Sequence, residues 1–241
     1  MHEGFADALP LLQLPLPLRF VVRDELTEWP LLGAYLQNTG QITIRPESGV
    51  SAYRRLLREA EDVFERGESL VIFPQGSILG IETDFLPGAF AVAHALHRPI
   101  LPIALTGSHR VWEHPFGSRL RRDQRMSVRV LPPVPAEEVR ASGVDAARRE
   151  ICRRLKSAAL DGVMAPPRRF KPGRDGYWDG YAYEIDPAFP VVAVDIATRR
   201  AGRQDRRGSE RLNIPSMSPT RKPLLDPAGP GGLRGVVDAV K

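Results

Sequence analysis

The sequence predicts an α/β fold, a mixed and mostly parallel sheet flanked by helices and followed by a disordered C-terminal tail. Three observations carry this expectation. Short β-branched and aromatic runs alternate with helix-period stretches between residues 19 and 160. The 241 residues are 42% hydrophobic and 26% charged, which supports one sizeable core and excludes wholesale disorder. From residue 199 the chain turns to Arg, Gly, Pro and Ser without periodicity. Residues 1–198 read as one domain with an irregular extension at 166–190, and residues 199–241 as a basic tail.

The elements follow in order. Residues 19–23, RFVVR, read as a strand. A short helix begins at Pro30 and ends at the Asn38-Thr39-Gly40 stop, and QITIR at 41–45 alternates as a second strand that Pro46 terminates. The clearest helix carries one apolar stripe, Tyr53, Leu56, Leu57, Ala60, Val63 and Phe64, and is closed by Gly67. SLVIF at 69–73 reads as a buried strand running into the turn Pro74-Gln75-Gly76-Ser77. Pro87 opens an apolar helix, and residues 99–106 and 126–131 read as two further strands. A last helix at 145–160 places Ile151 and Leu155 inward, with Arg148, Arg149, Arg153, Arg154 and Lys156 outward.

Composition excludes several function classes. The single cysteine, Cys152, rules out an internal disulfide and a cysteine-built zinc site, and no metal is expected. Residues 199–241 hold ten Lys/Arg against four Asp/Glu, which leaves 24 basic and 25 acidic residues for positions 1–198. The +5 net charge therefore belongs to the tail, and no nucleic-acid partner is expected, since that tail lacks interleaved aromatics. The apolar stretch at 4–18 is too short for a membrane span and is broken by Pro10, Pro15 and Pro17. Asp7 and the lack of a preceding basic region argue against a signal peptide.

Two segments point to chemistry. His2 and Asp7 lie five positions apart, and no other histidine has an aspartate at that spacing. On a continuous helix the two would not share a face. They meet if His2 precedes a helix and Asp7 lies in its first turn, where the carboxylate fixes the imidazole tautomer and leaves the other nitrogen as a base. The alternative is a solvent-facing terminal histidine. Residues 72–77 turn at the carboxyl edge of a predicted sheet, where ligands bind in open α/β folds. The alternative there is a plain strand-to-loop turn. Cys152 reads as core, His109 and His114 as structural or solvated, and His94 and His97 as packing and capping groups.

Taken together, HEGFAD, RFVVRDEL, QITIR, SLVIFPQGS and RPILPIALTGS resemble, in order and spacing, the four blocks of the glycerolipid acyltransferase family. That family contains the 1-acylglycerol-3-phosphate acyltransferases. Its H-x4-D block matches His2 and Asp7, and its second block, ending in an acceptor-binding arginine, matches the segment from Gly40 to Arg45. Its F-P-E-G-T-R block matches Phe73, Pro74 and Gly76, with Gln75, Ser77 and Ile78 replacing Glu, Thr and Arg. In the family that last arginine helps hold the acceptor phosphate, so Ile78 opens the question of the acceptor.

The resemblance implies acyl transfer from an acyl-thioester, on coenzyme A or acyl-carrier protein as co-substrate, to a lysophospholipid hydroxyl. His2 would be the general base and Asp7 its partner. Arg45, Phe73, Pro74, Gln75, Gly76 and Ser77 would bind substrate, and backbone N–H groups near Gly76 would face the oxyanion. No cofactor is expected. The same chemistry on a phosphate-free acceptor and an inactive lipid-binding remnant are the alternatives. A peripheral position on the inner, cytoplasmic face of a membrane is expected, through the tail or the basic face at 148–156. The leucines at 9, 11, 12, 14, 16 and 18 read equally as an acyl-chain groove, a membrane-dipping segment or ordinary core. In the family a core strand precedes the H-x4-D block, and Met1 alone precedes His2, so an apolar strand is expected upstream. The oligomeric state is left open.

Overall fold

The computed structural model describes residues 2–45, 48–76, 78, 81, 83–112, 119–163 and 186. Strand β1 (Leu18–Arg23) is followed by a 3-10 turn (Asp24–Glu28) and a helix at Leu32–Asn38, then by β2 (Ile42–Ile44). Helix α3 (Val50–Glu65) leads to β3 (Ser69–Val71). The helix at Leu32–Asn38 is α2, and α1 is the short Ala8–Leu11. Both β2 and β3 pair parallel to β1, with Val21 opposite Ile42 and Phe20 opposite Val71, in the order β2-β1-β3. Parallel pairing demands crossovers, which α2 and α3 supply.

The remainder is built around α4 (Gly88–Ala95), β4 (Ile103–Thr106), α5 (Ser108–Val111), β5 (Ser127–Val130), α6 (Ala136–Ser142) and α7 (Val144–Leu160). β4 and β5 pair antiparallel. Among the described residues no ladder joins β3 to β4, so the sheet is mixed and falls into two pieces. Helix α3 buries Leu56, Ala60 and Val63 against Ile42 and Val92, as its stripe predicts. A second core gathers Phe90, Ala104, Val139, Ile151 and Leu155. Leu11, Phe20 and Leu105 form a third, which ties the N-terminal segment to both sheet pieces.

Helix ends follow from the backbone. Gly67, at φ 71°, lets Glu68 N–H reach the Val63 carbonyl and Gly67 N–H reach that of Phe64, which stops α3. His97 closes α4 in the same left-handed conformation, at φ 51°, and Arg98 N–H bonds the Ala93 carbonyl. The ladder of β3 ends two residues before the SLVIF pattern does. That of β4 begins at Ile103 instead of Pro99, because Pro99 and Pro102 have no N–H to donate.

One expectation fails in α7. Lys156, placed outward by sequence, is among the most buried side chains, and its Nζ lies 2.6 Å from Asp186 Oδ2. Arg148 is half-buried and paired with Asp84. The tail expected at 199–241, and the extension at 166–190 apart from Asp186, lie outside the described residues.

Candidate active site

Residues 2–7 close a tight loop at the carboxyl ends of β3 and β4. His2 Nδ1 lies 2.8 Å from Asp7 Oδ2, and the same oxygen accepts the N–H groups of Glu3 at 2.7 Å and Gly4 at 3.0 Å. One carboxylate oxygen thus fixes both the ring and the backbone that carries it. The histidine precedes the 3-10 turn Phe5–Asp7 and the aspartate ends it, which is how two residues five apart come together. The His2 ring stacks on Phe73 at 4.2 Å between centroids, and His2 N–H donates to Gln75 Oε1 at 2.7 Å. The loop is thereby fastened to the end of β3.

Glu3 fastens it to β4. Its carboxylate is 3% exposed, accepts the Gly107 N–H at 3.0 Å and lies 2.8 Å from His109 Nδ1. Phe5 packs between Trp29 and Trp112, at 5.3 and 5.7 Å. At Gly4 a Cβ would sit 2.6 Å from the Trp112 carbonyl oxygen, so only glycine allows this approach.

Asp7 is completely buried. Burial pushes its carboxyl up, but the hydrogen bond and charge of His2, helped by the Ser108 hydroxyl nearby, hold it below the ordinary carboxylate value. It is therefore the ionised partner, His2 Nδ1 donates to it, and Nε2 is left to accept a proton. His2 lies on the wall of an apolar cavity of about 780 Å³, together with Leu14, Leu18, Phe73, Gln75 and Phe90. A second cavity, of about 540 Å³, shares Phe73 and Pro74 with the first and is closed by Ile44, Tyr53, Gly76 and Leu86. The leucine-rich segment divides in position: Leu11, Leu14, Leu16 and Leu18 line the larger cavity, whereas Leu9 and Leu12 are exposed.

Phe73, Pro74 and Gln75 accordingly stand beside His2, and Gly76 borders the second cavity. The Gly76 N–H, expected to face an oxyanion, instead donates to the Phe73 carbonyl at 3.0 Å and closes the turn. Arg45 lines neither cavity; it is 58% exposed and pairs with Asp24 at 2.9 Å. Ser77 and His114 lie outside the described residues, and Ile78 is buried. Cys152 is core, its thiol pushed up to about 12 by burial, which leaves it inert as a nucleophile. Cys152, Asp84 and Asp186 bring three ligand-type atoms within 4.8 Å of one another, but Arg148 and Lys156 occupy the two carboxylates. Sequence reasoning missed Glu3, whereas His109, read as structural or solvated, is the structural partner of that carboxylate. The available signal was a second acidic residue directly beside His2.

The match to known proteins follows this geometry. A family model described as acyltransferase matches residues 1–106, the part that carries the loop and β1 to β4. A lyso-ornithine lipid O-acyltransferase of Pseudomonas aeruginosa is 30% identical over 186 residues, covering 68% of this chain and 67% of the relative. The chain belongs to the glycerolipid acyltransferase family. A 1-acyl-sn-glycerol-3-phosphate acyltransferase of Limnanthes alba is 28% identical over 148 residues, 60% of this chain and 52% of the relative. A Chlamydomonas reinhardtii 1-acyl-sn-glycerol-3-phosphate acyltransferase is 26% identical over 169 residues, 68% of this chain and 50% of the relative. The chain spans about half the length of these two curated relatives. No solved structure matches it at a significant level. Among the described residues no helix is long and apolar enough to cross a membrane.

Proposed function

We propose that this protein transfers a fatty acyl group from an acyl-thioester to the hydroxyl of a lysolipid. The observation that carries the reading is the His2–Asp7 pair on the wall of a cavity lined by leucine and phenylalanine. His2 Nε2 takes the hydroxyl proton, and the alkoxide attacks the thioester carbonyl. The tetrahedral intermediate then collapses, the coenzyme A or carrier thiolate leaves, and the proton held on His2 passes to that sulfur, which restores the base. A histidine general base suits this step, and no covalent enzyme intermediate is needed. The apolar walls offer space to an acyl chain, and the relatives' names supply the acceptor class. Purified protein with acyl-thioester donor and lysolipid acceptor tests the reading by thiol release. Release by the parent and its loss in His2→Ala support it, whereas equal release by both overturns it.

A specific observation favours a second acceptor. Ile78 puts a buried aliphatic side chain where the family phosphate contact carries a guanidinium, and Arg45 is engaged with Asp24. One relative is named for lyso-ornithine lipid and not for a glycerol phosphate. Under this reading a phosphate-free lysolipid outcompetes lysophosphatidate. Competition between the two acceptors in one assay decides which is preferred.

A further inference from the structure

The sequence directs attention to the basic helix face at 148–156 as a lipid contact, and the structure moves it elsewhere. Most cations of α7 are already engaged: Arg148 with Asp84, Arg153 with Glu150 at 2.7 Å, Arg154 with the Pro132 carbonyl, and Lys156 with Asp186. Arg148, Arg153 and Lys156 each meet a carboxylate of the chain, which offsets their charge. Residues 119–125, RLRRDQR, differ. Arg119, Arg121, Arg122 and Arg125 are exposed, and none of their guanidinium groups makes an ion pair or hydrogen bond among the described residues. The one acidic residue of the segment, Asp123, accepts from Gln124. Leu120, between two of the arginines, is 51% exposed.

The backbone holds this segment beside the dyad. Arg121 N–H donates to the Val111 carbonyl at the end of α5 at 2.8 Å. The Arg125 carbonyl lies against the Gly107 turn, where a Cβ would come within 2.8 Å of it. The same turn and helix supply Gly107 and His109 to Glu3, next to His2. We propose that residues 119–125 dock the protein on an anionic phospholipid bilayer. The unpaired arginines meet lipid phosphates and Leu120 enters the interface, so that the mouth beside His2 faces the surface where lysolipids reside. Complementary charge selects this partner, and an apolar side chain flanked by arginines matches the layering of headgroup over acyl chain. The proposal deepens the acyltransferase reading, yet it is tested without turnover.

The full chain is sedimented with vesicles of phosphatidylcholine alone and of phosphatidylcholine mixed with phosphatidylglycerol. Each basic residue near an anionic surface contributes about 1 kcal/mol, about fivefold in partitioning. The triple variant Arg119→Glu, Arg121→Glu, Arg122→Glu should then lose binding to mixed vesicles on the order of a hundredfold. Added salt should weaken the parent and hardly touch the variant. Leu120→Ser should lower binding at all salt concentrations. Arg149→Glu with Arg153→Glu on α7 should change little, and His2→Ala should bind like the parent even when it turns over nothing. A thermal melt keeps the comparison to folded protein. Two results overturn the proposal. One is a triple variant that binds mixed vesicles as tightly as the parent. The other is a variant that keeps vesicle binding but loses turnover with an acyl-carrier-protein donor and not with coenzyme A, which would make the patch a carrier-protein site.

Discussion

Two buried carboxylates in this molecule each face a basic side chain, and they are built for different purposes. Asp7 holds His2, whose side chain is 23% exposed and opens on a cavity. Asp186 holds Lys156, whose side chain is 1% exposed and packs beneath α7 beside the Phe85 ring. The first pair keeps one partner within reach of a ligand. The second draws the ammonium out of water, and its carboxylate also accepts the Cys152 thiol at 3.6 Å. Access, more than the strength of an ion pair, separates a working site from a latch.

Mutations should pull the two apart. The largest effect expected is on turnover. His2→Ala should lower it by about 10²–10⁴-fold, the usual contribution of a positioned base, while the thermal midpoint moves little. Lys156→Ala should do the reverse, costing about 3–5 kcal/mol in urea unfolding by stranding Asp186, with turnover per folded molecule unchanged. If both losses fall on stability alone, the distinction between the pairs collapses.

Asp7→Asn should approach the His2→Ala loss, and the double variant should be hardly worse than either, because the two act as one unit. pH sharpens the same point. Asp7 has a folded value below its unfolded one, so its contribution to stability is complete above about pH 4 and is lost as pH falls through the depressed value. Asp7→Asn should remove that acid limb from a plot of unfolding free energy against pH. An unchanged limb would assign it to another carboxylate.

Glu3→Gln should cost less. It weakens the contact to Gly107 and His109 without touching His2, so kcat should fall about tenfold, in line with a misaligned base, while the acceptor KM holds. Restoration of kcat by Glu3→Asp would point to charge; failure of Asp to restore it would point to reach. The smallest effect expected is a gain. His97 holds a left-handed conformation that suits glycine, so His97→Gly should stabilise by up to about 1 kcal/mol, measured by chemical denaturation.

Much of this was legible in the order of residues, and what was not has a physical reason. The helix stripe of Leu56, Ala60 and Val63 predicts its own burial, since side chains on one face share one neighbour. The spacing of His2 and Asp7 identifies the pair but not the three N–H and ring contacts that converge on one oxygen, because those depend on a 3-10 turn. Lys156 was misplaced because its charge outweighed its position four residues after the buried Cys152, and its partner Asp186 lies thirty residues away. Glu3 gains its meaning from Gly107 and His109, contributed by a turn and helix more than a hundred positions on. The expected substrate arginine, Arg45, follows from a motif, whereas its engagement with Asp24 is visible only in space.

The stacking of His2 on Phe73, with ring planes 17° apart, carries a consequence for observation. Protons held above an aromatic face are shielded by its ring current, so the imidazole resonances of His2 should appear upfield of those of the other histidines. That displacement is a spectroscopic gauge of whether the loop is seated: it persists while His2 lies over Phe73, and it vanishes in Phe73→Leu or whenever the loop lifts away.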